Sequence, residues 1–214
     1  MPNDINLEKL DLGAVGGIDP PCLGDDELIK QKALKRIIKN NTIHFLKAKA
    51  LSDLCIKPKT NEQYRIITTK QFNAFSLILH LLETEEIEEM YLAIYRINEP
   101  TVDSIIDFIE SGKIKKALFI ICSFFHATKV PERWALKLKD FCDKNTNCQH
   151  AYLNNHAKIL AAKASGGGCY VFEGSGNLSD NGRIEQYVYE NNEEVYCFHK
   201  TWMEELVYAK RHQP

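Results

Sequence analysis

Short apolar runs alternate with amphipathic segments from residue 64 onward, and this alternation constrains the fold more than any other feature of the chain. The apolar runs have the length of buried strands, and the segments between them repeat apolar side chains at helical spacing. The predicted strands are YRIITT, MYLAIYRI and KALFIICSFF, and the predicted helices are KQFNAFSLILHLLE, TVDSIIDFIESG, PERWALKLKDFCDKN and CFHKTWMEELVYAKR. Strands that alternate with helices predict a layered α/β domain in which helices flank the sheet.

Single residues indicate the ends and the buried sides of these predicted helices. Pro100 can open the second helix and Gly112 can end it, because proline suits a first helical turn and glycine suits the residue after a helix. In the first helix, the apolar spacing predicts one buried side. That side comprises Phe72, Phe75, Leu79 and Leu82.

Residues 1–60 differ from the rest of the chain, and we predict an N-terminal arm and a basic helix there, ahead of a main domain formed by residues 61–214. Residues 1–25 contain glycine and proline with little periodicity, which is typical of a loose arm. The segment DDELIKQKALKRIIKN predicts a helix with one apolar and one basic side. A basic helical side is usually a solvated surface, and contact with phosphate groups is the second interpretation.

Composition limits the classes of protein to which the chain can belong. The net charge of −2 gives no overall attraction to nucleic acid, so nucleic-acid binding would need local basic patches. No apolar run is long enough to cross a bilayer, and the first residues lack a secretory signal, so we expect a cytoplasmic protein without membrane insertion. The seven cysteines show no regular pairing, which indicates reduced thiols and not a disulfide framework.

The densest group of polar side chains that could bind a ligand or take part in a reaction lies in residues 154–190. Alternation predicts that His156 and Lys158 lie on one face of a strand, since successive side chains point to opposite faces. Three glycines then predict a turn, and Tyr-Val-Phe predicts the returning strand, which makes the sheet mixed. This strand ends in a Gly-Ser-Gly-Asn segment, so Ser175 and Asn177 would project at the same end of the sheet. Such a group of side chains suits a phosphate diester.

The order His-x-Lys, then Gly-Ser-x-Asn, then an acidic residue that enters a strand resembles the HKD signature of the phospholipase D superfamily. The resemblance implies a phospholipase D-like α/β domain over roughly residues 64–210. It also implies that His156 is the nucleophile or general acid, that Lys158, Ser175 and Asn177 hold the phosphate, and that Glu185 orients the histidine ring. We expect no metal ion or other cofactor, because the sequence offers no carboxylate cluster suited to Mg²⁺ or Ca²⁺ and no convincing zinc set.

The chain departs from the family pattern at two places. The family has an aspartate five residues after the motif lysine, where this chain has Lys163. The interval before Gly-Ser is also longer than usual by about the length of the Ser-Gly-Gly-Gly turn. We interpret the extra residues as a surface insertion, because loops accept added length at little cost.

A covalent route to phosphodiester cleavage needs one group that attacks phosphorus and another that protonates the leaving oxygen, and one imidazole cannot do both at once. His156 begins the only His-x-Lys of the sequence. We therefore predict a homodimer in which a two-fold axis brings both copies of His156 to one site. The predicted catalytic residues are His156, Lys158, Asn177 and Glu185, and the predicted phosphate ligands are Lys158, Ser175 and Asn177.

The sequence leaves three functions open. The first is a homodimeric phosphodiesterase, most simply a nuclease that acts through a phosphohistidine. The second is hydrolysis of a phospholipid head group by the same chemistry. The third is a protein that keeps the fold but serves as a nucleic-acid-binding module or a scaffold, and the missing aspartate favours it.

Other reactive side chains have simpler explanations. The spacing of Cys142, Cys148 and His150 does not match a common zinc site, and no second pair of ligands follows. No Gly-Lys-Ser or Gly-Lys-Thr follows the three glycines, so they do not form a phosphate-binding loop. Cys122 is most simply a small buried apolar residue. His80 and His126 are interpreted as surface or core residues and not as catalysts.

Overall fold

The computed structural model describes residues 42–48 (as backbone), 57–69, 73–178 and 184–212. Eight strands form one sheet in the order β1-β2-β8-β7-β6-β3-β4-β5. The strands are β1 (Thr42–Ala48), β2 (Glu62–Thr69), β3 (Ile87–Ile94), β4 (Ala117–Cys122), β5 (Cys148–Leu153), β6 (Lys158–Ala164), β7 (Cys169–Gly174) and β8 (Ile184–Asn191). The helices are α1 (Ala74–Leu82), α2 (Glu99–Glu110), α3 (Arg133–Lys144) and α4 (Glu193–Arg211), and a short 3-10 turn covers Ser123–Phe125.

The sheet contains both parallel and antiparallel pairs. β1 and β2 are parallel, and so are β3, β4 and β5, whereas β6, β7 and β8 pair with their neighbours in antiparallel fashion. A turn at residues 165–168 joins β6 to β7, and Gly167 adopts a φ of +86°, which favours glycine. The predicted mixed α/β sheet and the hairpin across the three glycines are therefore confirmed.

Three helices cover one face of the sheet and one helix covers the other. Apolar residues of α1, α2 and α3 pack with Leu92 and Leu160 in the larger core cluster. Apolar residues of α4 pack with Ala93 and Ala161 in the smaller one. Neighbouring strand residues thus face opposite layers, as the strand pleat requires. Because both faces are covered at the centre, β4 is wholly apolar and β3 is apolar from Met90 onward.

The buried side of α1 differs from the predicted one. The helix buries Ala74, Leu77, Ile78 and Leu81. Leu79 is exposed, and Phe75 and Leu82 are only partly buried against the core, while Phe72 lies outside the described residues. The helix is apolar over most of its circumference, so its sequence alone fitted more than one buried side.

The ends of α2 agree with the sequence prediction. Pro100 lies in the first turn, after the N-cap residue Asn98, whose side chain accepts a hydrogen bond from the Thr101 N–H at 2.9 Å. Gly112 follows the helix with a φ of +77°. These local signals fix where the chain leaves α2 for β4.

The N-terminal region is described only in part. β1 comes from the range that the sequence analysis assigned to the arm, and it pairs in parallel with β2 from Thr42↔Glu62 to Ala48↔Thr68. The basic helix lies outside the described residues, and the division at residues 60 and 61 stays a prediction. None of the helices in the described ranges is long and apolar enough to span a membrane.

Candidate active site

His156 lies in the loop just before β6, and not within the strand as the alternation predicted. Asn155 holds this loop: its Oδ1 accepts a hydrogen bond from the Ala157 N–H at 2.9 Å, and its Nδ2 donates to the Ile120 carbonyl at 3.0 Å. The imidazole is exposed. A loop anchored to the neighbouring strand β4 therefore presents the ring to solvent at the end of the sheet.

Lys158, the first residue of β6, turns its ammonium group back towards His156. Its Nζ donates to the His156 carbonyl oxygen at 2.9 Å and lies 3.3 Å from Nδ1 of the ring. Partial burial lowers the pKa of Lys158, and the negative charge of Glu185 offsets part of this effect. The predicted proximity of the imidazole and the ammonium group is thus present, although the two residues do not share a strand face.

Tyr95 is a site residue that sequence reasoning missed. Its ring lies against His156 with a centroid separation of 4.8 Å and an interplanar angle of 52°. Lys158 Nζ lies 5.6 Å from the centroid of the same ring, which suits a cation–π contact. The register of β3 and β6, in which Ile94 pairs with Lys158, accounts for both contacts of Tyr95. Only this pairing, which the sequence does not reveal, places Tyr95 beside the motif.

Ser175 connects the Gly-Ser-Gly-Asn segment to β8. Its hydroxyl donates to Oε2 of Glu185, and Oγ of Ser175 accepts a hydrogen bond from the Gln186 N–H at 3.1 Å. Glu185 is buried despite its charge. A buried carboxylate needs donors, and Ser175 supplies one of them. The role of Glu185 in orienting His156 stays a prediction.

Asn177 contacts the end of β3 and not the histidine loop. Its Oδ1 accepts a hydrogen bond from the Arg96 backbone N–H at 3.3 Å. The Leu178 N–H donates to the Arg96 carbonyl at 3.3 Å. The segment that follows Ser175 is thereby joined to the residue that follows Tyr95, so both strand ends are held at the same edge of the sheet.

The two glycines of Gly-Ser-Gly lie against the ring of Tyr187. A Cβ atom on Gly174 or Gly176 would overlap atoms of the Tyr187 side chain, and the Tyr187 ring stacks on Phe172 at 4.5 Å between centroids. The segment therefore needs glycine for close approach to β8. This packing brings the Ser175 hydroxyl within reach of Glu185.

These side chains border an open depression of about 490 Å³ at the edge of the sheet. Its lining includes His156, Lys158 and Ser175, which are three of the predicted site residues. Glu185 is linked to it through Ser175, and Asn177 lies two residues farther along the same segment. The antiparallel pairing of β6 and β7 accounts for this convergence, because Ile159 pairs with Glu173.

Glu173 adds a carboxylate to the lining that the sequence analysis did not single out. Its Oε1 lies 2.6 Å from Nε2 of the buried His199 on α4. Nδ1 of His199 accepts a hydrogen bond from the Trp202 indole N–H at 3.0 Å, so the ring proton resides on Nε2, which donates to Glu173. This fixed His–Glu pair orients one anionic group at the rim of the depression.

The other reactive side chains remain apart from this depression. Cys142 and Cys148 are buried between α3 and β5, and His150 Nε2 lies 3.8 Å from Asp143. His126 stacks on Tyr152 at 4.6 Å. Over the described ranges, no three His, Cys, Asp or Glu side chains form a group that could hold a metal ion.

Comparison with known proteins gives similarity at the level of structure. No known family profile matches the chain, and no curated protein sequence matches it. Among solved structures, the chain is similar to Nuc from Salmonella typhimurium, a phospholipase D family member, with 12% identity over 62% of this chain and 86% of Nuc and a TM-score of 0.43. It is also similar to the polyphosphate kinase from Porphyromonas gingivalis, with 15% identity over 65% of this chain and 25% of the kinase and a TM-score of 0.47.

Yeast tyrosyl-DNA phosphodiesterase is a further similar structure, with 12% identity over 58% of this chain and 31% of that enzyme and a TM-score of 0.34. The chain therefore spans most of Nuc but less than a third of the two larger proteins. At 12–15% identity, these similarities concern the fold and not the chemistry of the site. Each of these three structures is similar to the chain over 58–65% of its length.

Proposed function

We propose that this chain is a metal-independent phosphodiesterase, most simply a nuclease, that acts through a phosphohistidine at a site shared by two subunits. One observation carries the proposal. His156, Lys158 and Ser175 line the same open depression, and Lys158 Nζ lies 3.3 Å from Nδ1 of His156. A nucleophile, a cation and a hydroxyl at one solvent-accessible point are the groups that phosphoryl transfer requires.

In the proposed reaction, the neutral imidazole of one His156 attacks phosphorus through its unprotonated ring nitrogen. The bond from phosphorus to the leaving oxygen breaks, and the protonated His156 of the second subunit gives its proton to that oxygen. The second histidine, now neutral, then takes a proton from water as the water oxygen attacks phosphorus and displaces the first histidine. Lys158 and the Asn177 amide stabilise the negative charge on the phosphoryl oxygens, and Ser175 joins them when its hydroxyl turns from Glu185 to the phosphate.

An open part of the sheet supports the proposed dimer. Most contacts of α4 are with strands β3 to β7, whereas Ile67 on β2 and Ile184 on β8 have 45% and 72% of their surface exposed. Ile67 pairs with Gln186, whose backbone binds Ser175. Large exposed apolar side chains mark interaction surfaces. A second copy that covered this face would lie beside Ser175.

The alternative without catalysis has one observation in its favour, which is that Lys163 replaces the motif aspartate. In that function the same depression would bind a phosphate of nucleic acid and leave it intact. Hydrolysis of a lipid head group is the enzymatic alternative, and the depression has the same groups for it. A panel of substrates separates these functions.

The test incubates the purified full chain with bis-p-nitrophenyl phosphate, labelled oligonucleotides and a labelled phospholipid in the presence of EDTA. The proposal expects diester cleavage that persists in EDTA and a labelled adduct on the wild-type protein that survives alkali, which is typical of phosphohistidine. Loss of cleavage in EDTA with recovery on adding a divalent ion would refute the metal-independent route. Light scattering that shows only monomers, with a phosphate analogue present, would refute the shared site.

A further inference from the structure

We propose that the site takes single-stranded nucleic acid and that an unpaired base next to the bound phosphate stacks on Phe124. The inference rests on the proposed function, since it names the substrate of the same site, but it concerns a separate surface. That surface, the aromatic platform, consists of Tyr95, Phe125 and Phe124. Nothing in the reaction itself requires Phe124.

The aromatic platform is continuous with the active site. Tyr95 lies against His156 at 4.8 Å between ring centroids, Phe125 lies against Tyr95 at 5.3 Å, and Phe124 lies against Phe125 at 5.4 Å. All three separations are those of packed aromatic rings. A row of rings therefore leads from the predicted nucleophile to Phe124.

The two phenylalanines of the row differ in exposure. Phe125 is buried and packs on Trp134 at 5.5 Å, whereas Phe124 keeps 53% of its surface exposed. The 3-10 turn that carries both rings is closed by hydrogen bonds from the His126 and Ala127 N–H groups to the Ser123 carbonyl, at 3.0 and 2.8 Å. An exposed aromatic ring on an anchored turn is a stacking surface for which little backbone freedom remains to be lost on binding.

A cation lies beside the same row. Arg96 is exposed, and its guanidinium carbon lies 5.7 Å from the centroid of Phe125. Its backbone is held between Asn177 Oδ1 and the Leu178 N–H, at 3.3 Å each. Lys158 lies near the other end of the row, over Tyr95. Two cations that flank aromatic rings match the alternation of phosphates and bases along a nucleic-acid strand.

The geometry favours a single strand over a duplex. In a duplex the faces of each base are covered by its neighbours in the stack, so a base must leave the stack before Phe124 can contact it. An unpaired strand offers its base faces directly, and every base has an aromatic face. We therefore expect binding that depends on strandedness and little on sequence.

The test measures binding of a single-stranded oligonucleotide that carries 2-aminopurine, by fluorescence, and hydrolysis of bis-p-nitrophenyl phosphate by the same proteins. The variants are Phe124→Ala, which removes the ring, and Phe124→Trp, which keeps one. Tyr208→Ala is the matched control, because Tyr208 is an aromatic residue with 66% of its surface exposed on α4, the helix on the opposite face of the sheet. Circular dichroism verifies that each variant is folded.

We expect Phe124→Ala to weaken oligonucleotide binding by about five-fold or more, the loss that removal of one base–aromatic stack causes. Phe124→Trp and Tyr208→Ala should bind as the wild type does, and hydrolysis of the small diester should be unchanged in all three. Equal binding by Phe124→Ala and wild type, tighter binding of a duplex than of the single strand, or no oligonucleotide binding by the wild type would overturn the inference. Failure of the proposed function is distinct: the small diester would remain intact while Phe124→Ala still weakened oligonucleotide binding.

Discussion

The two ends of the β6–β7 hairpin are built from the same pair of strands but have different chemistry. At one end, the residues just before β6 and just after β7 bring His156, Lys158 and Ser175 to the open depression. At the other end, residues 165–168 form a turn whose Gly166 N–H donates to Glu85 at 3.0 Å, and Glu85 pairs with Lys57 at 2.5 Å. One end presents an imidazole, an ammonium group and a hydroxyl at an open depression, whereas the other end is closed by a hydrogen bond and an ion pair.

This comparison explains why the missing aspartate need not prevent catalysis. Its position is taken by Lys163, which lies near the turn end of β6, where it pairs with Cys169. A strand rises about 3.3 Å per residue, so five residues separate Lys163 from Lys158 by about 17 Å. A charge change at that distance, on an exposed side chain, has little direct effect on groups that contact the phosphate.

The largest expected effect is that of His156→Asn. If the chain is an enzyme, turnover should fall by about a thousand-fold or more, because the variant has neither the nucleophile nor the proton donor. The ring is exposed, so the fold and the dimer should remain intact. Initial rates on bis-p-nitrophenyl phosphate measure the loss, and thermal unfolding monitors the fold. Unchanged cleavage by this variant would refute the histidine mechanism.

The two lysines of β6 give the next contrast. Lys158→Ala should lower both affinity and rate, by about a hundred-fold in kcat/KM, because it removes the cation that stabilises the phosphoryl charge. Lys163→Asp, which restores the family's residue at the turn end, should do no harm. Steady-state kinetics on one diester compare the two. Equal losses in both variants would show that the turn end also takes part in catalysis.

A third contrast uses one glycine from each end of the hairpin. Gly176→Ala forces a methyl group into the Tyr187 ring and should lower the free energy of unfolding by about 1–3 kcal/mol. It should also lower activity, because Ser175 would shift. Gly167→Ala has open space around its Cβ but a φ of +86°, so it should cost about 1 kcal/mol and leave activity unchanged. Urea denaturation and initial rates together separate the two variants.

The sequence predicted those parts of the structure that depend on local spacing. The helices, the buried strands, the glycine turn and the grouping of His156, Lys158 and Ser175 all follow from periodicity and from short motifs. It missed β5 as a strand, the placement of Tyr95 beside His156, and the bond from His199 to Glu173. Each of these depends on how strands far apart in the chain pair, or on how α4 packs across the sheet. Local spacing contains no information about either.

The smallest expected effect is a dependence of the free energy of unfolding on pH. It should come from three histidines away from the site and not from the exposed His156. Burial lowers the pKa of His80, His126 and His150 below the ordinary value of 6.5, and the charge of Asp143 offsets part of the effect at His150. Well above pH 6.5 these rings are neutral in both the folded and unfolded states. As the pH falls below 6.5, the unfolded chain takes up protons before the folded one does, so the free energy of unfolding decreases.

We expect a decrease on the order of 1 kcal/mol in total between pH 7.5 and pH 5.0, measured by urea denaturation at each pH. The variant His150→Gln tests the cause, because it removes one buried imidazole whose Nδ1 has no hydrogen-bond partner and should therefore make stability less dependent on pH. His156→Asn is the matched control, because it removes an exposed imidazole instead of a buried one, and its loss should leave the pH dependence of stability as it is. If His156→Asn flattened the profile and His150→Gln did not, the histidines away from the site would not be the source of the pH dependence, and a titrating group at the site end of the hairpin would be.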